Sequence, residues 1–413
     1  MEQVQRSRES DVSRYRHGCD PLEPSDTAAN WNSASDLPPL KQARRVILWK
    51  IVANVLGIII GLVLMEGLLQ FLDKPKQPTS GWRSSHHRLE LNQLGFRGQR
   101  IEYSDNEFII VLLGDSNVVA SQSAYDWMPE RRLEHYLNKN GKRVKVFTLG
   151  AGGYGQDQQL LVLREYFENY RANLVVLWGS KSNDVWNNMF PTHWPADGDP
   201  KPTFWLEGGQ LRGPSEQMGQ KFGPHIRLLV AWQRFFPPSR DTEWEQLLPE
   251  PYQPMKTVTG QANDDWQQDW NHDLGYMRYE NLRTEKSHLA LALTPRSPRM
   301  QYGLDLTHQL LGEIEKLVLT HGGDFLTVLM RTPPGKNSSG EEVHVLNGQY
   351  YRTSKKQENE NLNYMYEGFK QYVIPVTLEH WKVGPADGHL NEHAIDLAMH
   401  DLALQLDPLI PNK

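Results

Sequence analysis

Three short apolar runs, each stopped by glycine, constrain this chain most. Residues 108–113 (FIIVLL) end at Gly114, residues 144–149 (VKVFTL) at Gly150, and residues 174–178 (LVVLW) at Gly179. Five or six residues, β-branched and apolar almost throughout, describe a strand covered on both faces, as in a parallel sheet. Their spacing of about 30 residues leaves room for one crossover helix each. Residues 129–138 place Leu133 and Leu137 on one helical face, and residues 158–170 do the same with Leu160, Leu161, Leu163, Tyr166 and Phe167. The pattern returns late in the chain. An amphipathic helix over 304–319 precedes a strand over 325–330 (FLTVLM). A weaker strand over 373–378 contains Pro375, which belongs at a sheet edge. A helix over 391–406 closes the chain. The expected architecture is a three-layer α/β/α domain around a parallel sheet.

A different kind of run precedes this domain. Residues 46–65 hold only one charge, Lys50, near one end, and the apolar character continues to Leu72. Twenty residues of helix span about 30 Å, the thickness of a bilayer core. Lys50 can snorkel to the interface beside Trp49, and Glu66 marks the far side. One transmembrane helix over 46–72 is therefore expected. It follows a Ser-, Asp-, Asn- and Pro-rich tail over 1–45, read as disordered and cytoplasmic. A Pro-containing linker over 73–82 leads to the main domain over 83–413. Lys41, Arg44, Arg45 and Lys50 crowd the first flank against Lys74, Lys76 and Arg83 on the second. The expected location is thus the cell membrane, with the large domain on the periplasmic or lumenal side. Gly57 and Gly61 form a G-x-x-x-G pair, compatible with a helix-mediated homodimer.

Composition removes other classes. Of 413 residues, 38% are apolar, too few for a multi-span membrane protein. A formal charge of −6 argues against a nucleic-acid partner. The single cysteine, Cys19, forbids an intrachain disulfide. Residues 185–300 break the strand–helix alternation and carry 7 of the 13 tryptophans, so they read as an insertion into the domain.

In open α/β sheets, ligands gather beyond the carboxyl ends of the strands. There the chain places Gly114-Asp115-Ser116-Asn117, then Gly150-Ala151-Gly152-Gly153-Tyr154-Gly155, then Gly179-Ser180-Lys181-Ser182-Asn183-Asp184. Beyond the last strand comes Asp387-Gly388-His389-Leu390-Asn391. These clusters bring a hydroxyl, backbone N–H groups freed by glycine, a carboxamide, and an imidazole beside a carboxylate. A serine hydroxyl needs a base to become a nucleophile, and histidine takes and returns a proton near neutral pH. A carboxylate fixes the imidazole's tautomer, and N–H donors meet the oxyanion. One such donor is typically worth about 3 kcal/mol in the transition state.

These four blocks, in this order, resemble those of the SGNH/GDSL hydrolase family, and Asn92 to Gly98 (NQLGFRG) resembles the entry of its membrane-anchored members. The resemblance covers about 92–184 and 304–406. It implies a flavodoxin-like SGNH fold, with Ser116 as nucleophile and His389 as general base. Asp387 would orient the base. Ser116, Gly153 and Asn183 would form the oxyanion hole, with Asp115 and Asp184 in supporting positions. The family's acid usually stands three residues before the histidine, where this chain has Ala386. D-x-H is similar instead to the alginate O-acetyltransferases of the same superfamily. The second block usually opens with Asn, and here it has Thr148.

Other readings compete. Asp115, Ser116 or Asn117 could each serve only to cap a helix. The glycine run is also a literal G-x-G-x-x-G, but the following strand lacks the acid that a dinucleotide site needs. His389 to His393 spells H-x-x-E-H, with the first histidine at a turn and little chain left for a third ligand. No cofactor and no metal are expected. The resemblance and the anchor together imply an esterase of acyl groups, O-acetyl above all, on an envelope or exported glycan. A polysaccharide O-acetyltransferase using the same acyl-enzyme is the near alternative. A non-catalytic polysaccharide-binding protein is the distant one.

Overall fold

The computed structural model describes residues 40–72, 90–139, 141–181, 183–189, 201–214, 285, 287–331, 341–346, 349–375, 381–384 and 387–411. The tail over 1–39, the linker over 73–82 and most of the insertion lie outside the described residues.

The first unit is one helix, α1 (Leu40–Leu72). It begins six residues before the expected span. From Arg44 to Leu68 it is long and apolar enough to cross a membrane, and none of that stretch is buried by protein. Its apolar side chains, Ile58, Val63 and Leu64 among them, are exposed all round, the pattern of a helix that meets lipid.

The second unit is built on a five-stranded sheet. Its strands are β1 (Phe108–Gly114), β2 (Val144–Gly150), β3 (Leu174–Gly179), β6 (Asp324–Arg331) and β9 (Gln371–Pro375). They run parallel in the order β2-β1-β3-β6-β9. β9 starts two residues earlier than the apolar run indicated, and it is an edge strand with Pro375 at its end.

Alternation along β1 shows why its apolar run is continuous. Ile109, Val111 and Leu113 enter one core with Leu160, Leu163 and Tyr166 of α4 (Gln156–Asn169) and Leu304, Leu310 and Ile314 of α6 (Pro298–Thr320). Ile110 and Leu112 enter the other. It holds Leu133 and Leu137 of α3 (Pro129–Lys139) with Ile395, Met399 and Leu402 of α8 (Glu392–Leu406). Two helical layers therefore sandwich one sheet, so this unit is a three-layer α/β/α domain.

Several short elements were not legible. α2 (Ser116–Val119) is a single turn after β1, and α5 (Asp184–Met189) follows β3. β4 (Trp205–Glu207) pairs with β5 (Gln210–Arg212), and β7 (Glu341–Leu346) with β8 (Gln349–Ser354). α7 (Lys355–Met365) follows β8. β10 (Lys382–Gly384) pairs antiparallel with β11 (Asp387–Leu390). The ends of the expected insertion belong to the main core, since Val185, Trp186, Phe204, Ala290, Leu291 and Met300 are all buried in it.

Candidate active site

The register of the sheet aligns the loops. Gly114 lies opposite Gly150 on one side and Trp178 on the other, so β1, β2 and β3 end abreast. The backbones pack tightly there, and a Cβ on Gly150 would meet the Gly114 carbonyl oxygen at 2.7 Å. The first three blocks therefore leave the sheet from one edge.

Asp115 is the helix cap. Its Oδ1 accepts from Asn117 N at 2.9 Å and from Asn117 Nδ2 at 3.1 Å. Ser116 is then the first helical residue, half-buried, with its hydroxyl not needed for the cap. In the second block, Gly153 has φ of +74°, a conformation that strongly favours glycine and turns its backbone away from the extended path. In the third, Ser180 Oγ donates to Asn183 Oδ1, which leaves the carboxamide nitrogen as the end that supports the Asp115 carboxylate. Lys181 ties this loop to α7 through an ion pair of 2.9 Å with Glu358.

The fourth block comes from the far end of the chain and reaches the first. β11, which carries His389, packs against α2. Gln122 Nε2 donates to Leu390 O at 3.2 Å, and Ala124 N to Glu392 Oε1 at 2.8 Å. His389 is half-buried and close enough to Asp115 for its charge to favour that carboxylate. Asp387, placed by its backbone, opens β11 opposite Gly384. Asn391 caps α8 by accepting from Ala394 N at 2.9 Å, which fixes where β11 must end.

Two buried carboxyls lie beneath the hydroxyl and the carboxamide. Burial pushes Asp115 up, against the Asn117 N–H, the nearby His389 and the Asn183 amide. Asp184 is pushed well above the carboxylate range, by burial first and then by the negative charge of Asp115. Its Oδ2 accepts from Ser180 N at 2.7 Å. Two like charges this close and this buried oppose each other's ionisation, so both carboxyls are pushed up, Asp184 the more strongly.

The sequence did not disclose a polar brace beneath the glycine turn. Lys201 is fully buried, pairs with the buried Asp157, and donates to Asn187 O at 2.7 Å. Asn188 donates to Gln156 Oε1 at 2.6 Å and to Thr307 Oγ1 at 2.9 Å. Lys201, which the sequence assigned to the insertion, thereby locks α4 to α5. The one available signal was the polar string Gln156-Asp157-Gln158-Gln159 at the start of a helix whose later turns are apolar.

The fold and the edge cluster define the class: a parallel-sheet α/β/α domain with a hydroxyl, a carboxamide and an imidazole at the carboxyl ends of its strands. No family model and no curated protein matches the chain. Among solved structures, the domain is similar to TesA, at 12% identity and a TM-score of 0.33, over 73% of this chain and 99% of that one. Est24, a carbohydrate acetylesterase from Sinorhizobium meliloti, matches at 9% identity and a TM-score of 0.32, over 74% and 100%. The psychrotrophic esterase EstA from Pseudoalteromonas sp. matches at 11% and 0.31, over 73% and 97%.

Proposed function

We propose that this chain is a membrane-anchored serine esterase that cleaves acyl esters, with O-acetyl groups on an envelope or exported glycan as its substrate. The supporting observation is the packing of β11 against α2. These two elements, far apart in the chain, carry His389 and Ser116. In this reading Ser116 Oγ attacks the ester carbonyl while His389 takes its proton. The oxyanion is met by the N–H groups of Ser116 and Gly153 and by the Asn183 amide. His389 returns the proton to the leaving sugar oxygen, and water then releases the acyl group by the same route. Asp387 orients the imidazole. α1 crosses the membrane and holds the domain outside the cytoplasm.

Hydrolysis of a small aryl acetate tests the reading. Ser116→Ala should lower kcat by at least about 10³-fold while leaving the circular dichroism spectrum unchanged. Activity in the variant equal to that of the wild type removes the proposal. Acetyl appearing on an added glycan acceptor would instead assign the chain to the O-acetyltransferases.

A further inference from the structure

Arg97 takes no part in the chemistry just described, yet its placement is unusual. It is buried, and burial pushes its guanidinium down against the pull of Glu90, Tyr125 and Glu130. The group is directed at backbone. Nη1 donates to Val119 O at 3.0 Å and also to Ala120 O, and Nη2 donates to Ser123 O at 2.7 Å.

The carbonyls of 119 and 120 end the single turn that begins at Ser116, and that of 123 lies in the loop after it. Four residues of helix have little stability of their own, because nucleation is the costly step. The turn stops at Ala120 with φ of +43°, a left-handed conformation that an alanine adopts at a cost. A cation at a helix C-terminus offsets both deficits. The same loop then continues to the imidazole's strand, through Gln122 on Leu390 O and the Ala124 N–H on Glu392. Pinned by Arg97, the loop therefore touches Ser116's turn at one end and the residues just after His389 at the other.

We infer that Arg97 is a positioning residue: by clamping the carbonyls of 119, 120 and 123 it sets the Ser116 hydroxyl and the His389 imidazole relative to each other. The inference rests on the serine–histidine reading above. Its chemistry is that of a fork, since two guanidinium nitrogens span three carbonyls where one ammonium cannot.

The test uses the full-length chain in detergent and follows the rate of fluorophosphonate labelling at Ser116, corrected for the folded fraction. Aryl-acetate kinetics run alongside. A misplacement of about 1 Å at a reacting group costs on the order of 100-fold. Arg97→Lys should label about 10- to 100-fold more slowly, with kcat reduced and KM nearly unchanged. Guanidinium ion at millimolar concentration should restore labelling in Arg97→Ala and leave the wild type unaffected. Gln122→Ala lies outside the buried clamp and decides the matter if the arginine variants do not fold; it should slow labelling with the fold intact. Wild-type labelling rates in folded Arg97→Lys, or in Gln122→Ala where the arginine variants fail to fold, overturn the inference. A wild-type protein that does not label at all is a separate result: it sinks the serine-hydrolase reading, and this inference with it.

Discussion

At the scale of single residues, burial decides the behaviour of the charged groups around the edge. Glu130 accepts from Gln99 N at 2.8 Å and from Thr148 N at 2.7 Å, so one carboxyl joins the loop over 92–100 to β2. Burial nevertheless pushes it from 4.5 to about 7; the two N–H groups pull the other way, and Glu134 adds to the rise. Between those two values the folded chain keeps a proton that the unfolded chain has released. Unfolding then releases that proton, so raising the pH favours unfolding. The loss begins near the unfolded value of 4.5 and is complete above about 7. It amounts to about 3 kcal/mol. The melting temperature should accordingly fall from pH 5 to pH 8, and the fall should be smaller in Glu130→Gln. That variant should also start lower at pH 5, because a carboxamide oxygen can satisfy only one of the two N–H donors. Parallel slopes for the two proteins would contradict this account.

Legibility at this scale followed motif order. Ser116, Gly153, Asn183 and His389 stand in four ordered blocks, so motif order alone proposes them as candidates. Lys201 could not be proposed in this way, because an isolated lysine between prolines carries no sign that it will be buried against an aspartate far away in the chain. Arg97 was visible only as part of NQLGFRG, with nothing to tell that its partners would be carbonyls.

At the scale of elements, the sheet was readable because both of its faces are covered. Continuous apolar runs gave the residues of β1, β2, β3 and β6 to within a residue or two. The hairpins were not readable for the opposite reason. β11 is four residues long, Asp-Gly-His-Leu, without a β-branched side chain, and its pairing with β10 is set by tertiary context. Two glycines in the site blocks separate close packing from open space. On Gly150 a Cβ would press on the Gly114 carbonyl, part of a neighbouring strand that has nowhere to go. At Gly388 nothing lies within 4 Å. Gly150→Ala should therefore lose about 1–3 kcal/mol of stability, by denaturant unfolding, whereas Gly388→Ala should stay within about 0.5 kcal/mol of the wild type. Equal losses would show that the β1–β2 contact is looser than the register implies.

At the scale of the whole molecule, the chain divides into an apolar helix and a layered domain that need different solvents. The 25 residues from Arg44 to Leu68 amount to about 37 Å of helix, enough to cross a bilayer with some tilt. The full chain should remain with the membrane pellet after an alkaline carbonate wash and move to the supernatant in detergent. A form lacking 1–72 should be soluble without detergent. Release of the full chain by carbonate alone would mean that α1 does not span.

The apposition of β11 and α2 also bears on the order of folding. α8 shares with α3 the cover of the sheet face that carries Ile110, Leu112 and Val176. β1, β2 and β3 pair within a short stretch of chain, whereas the contact of Gln122 with Leu390 closes a loop of 268 positions. Closure over so long a loop is slow, so the imidazole should join the edge after the hydroxyl and the glycine turn are already in place.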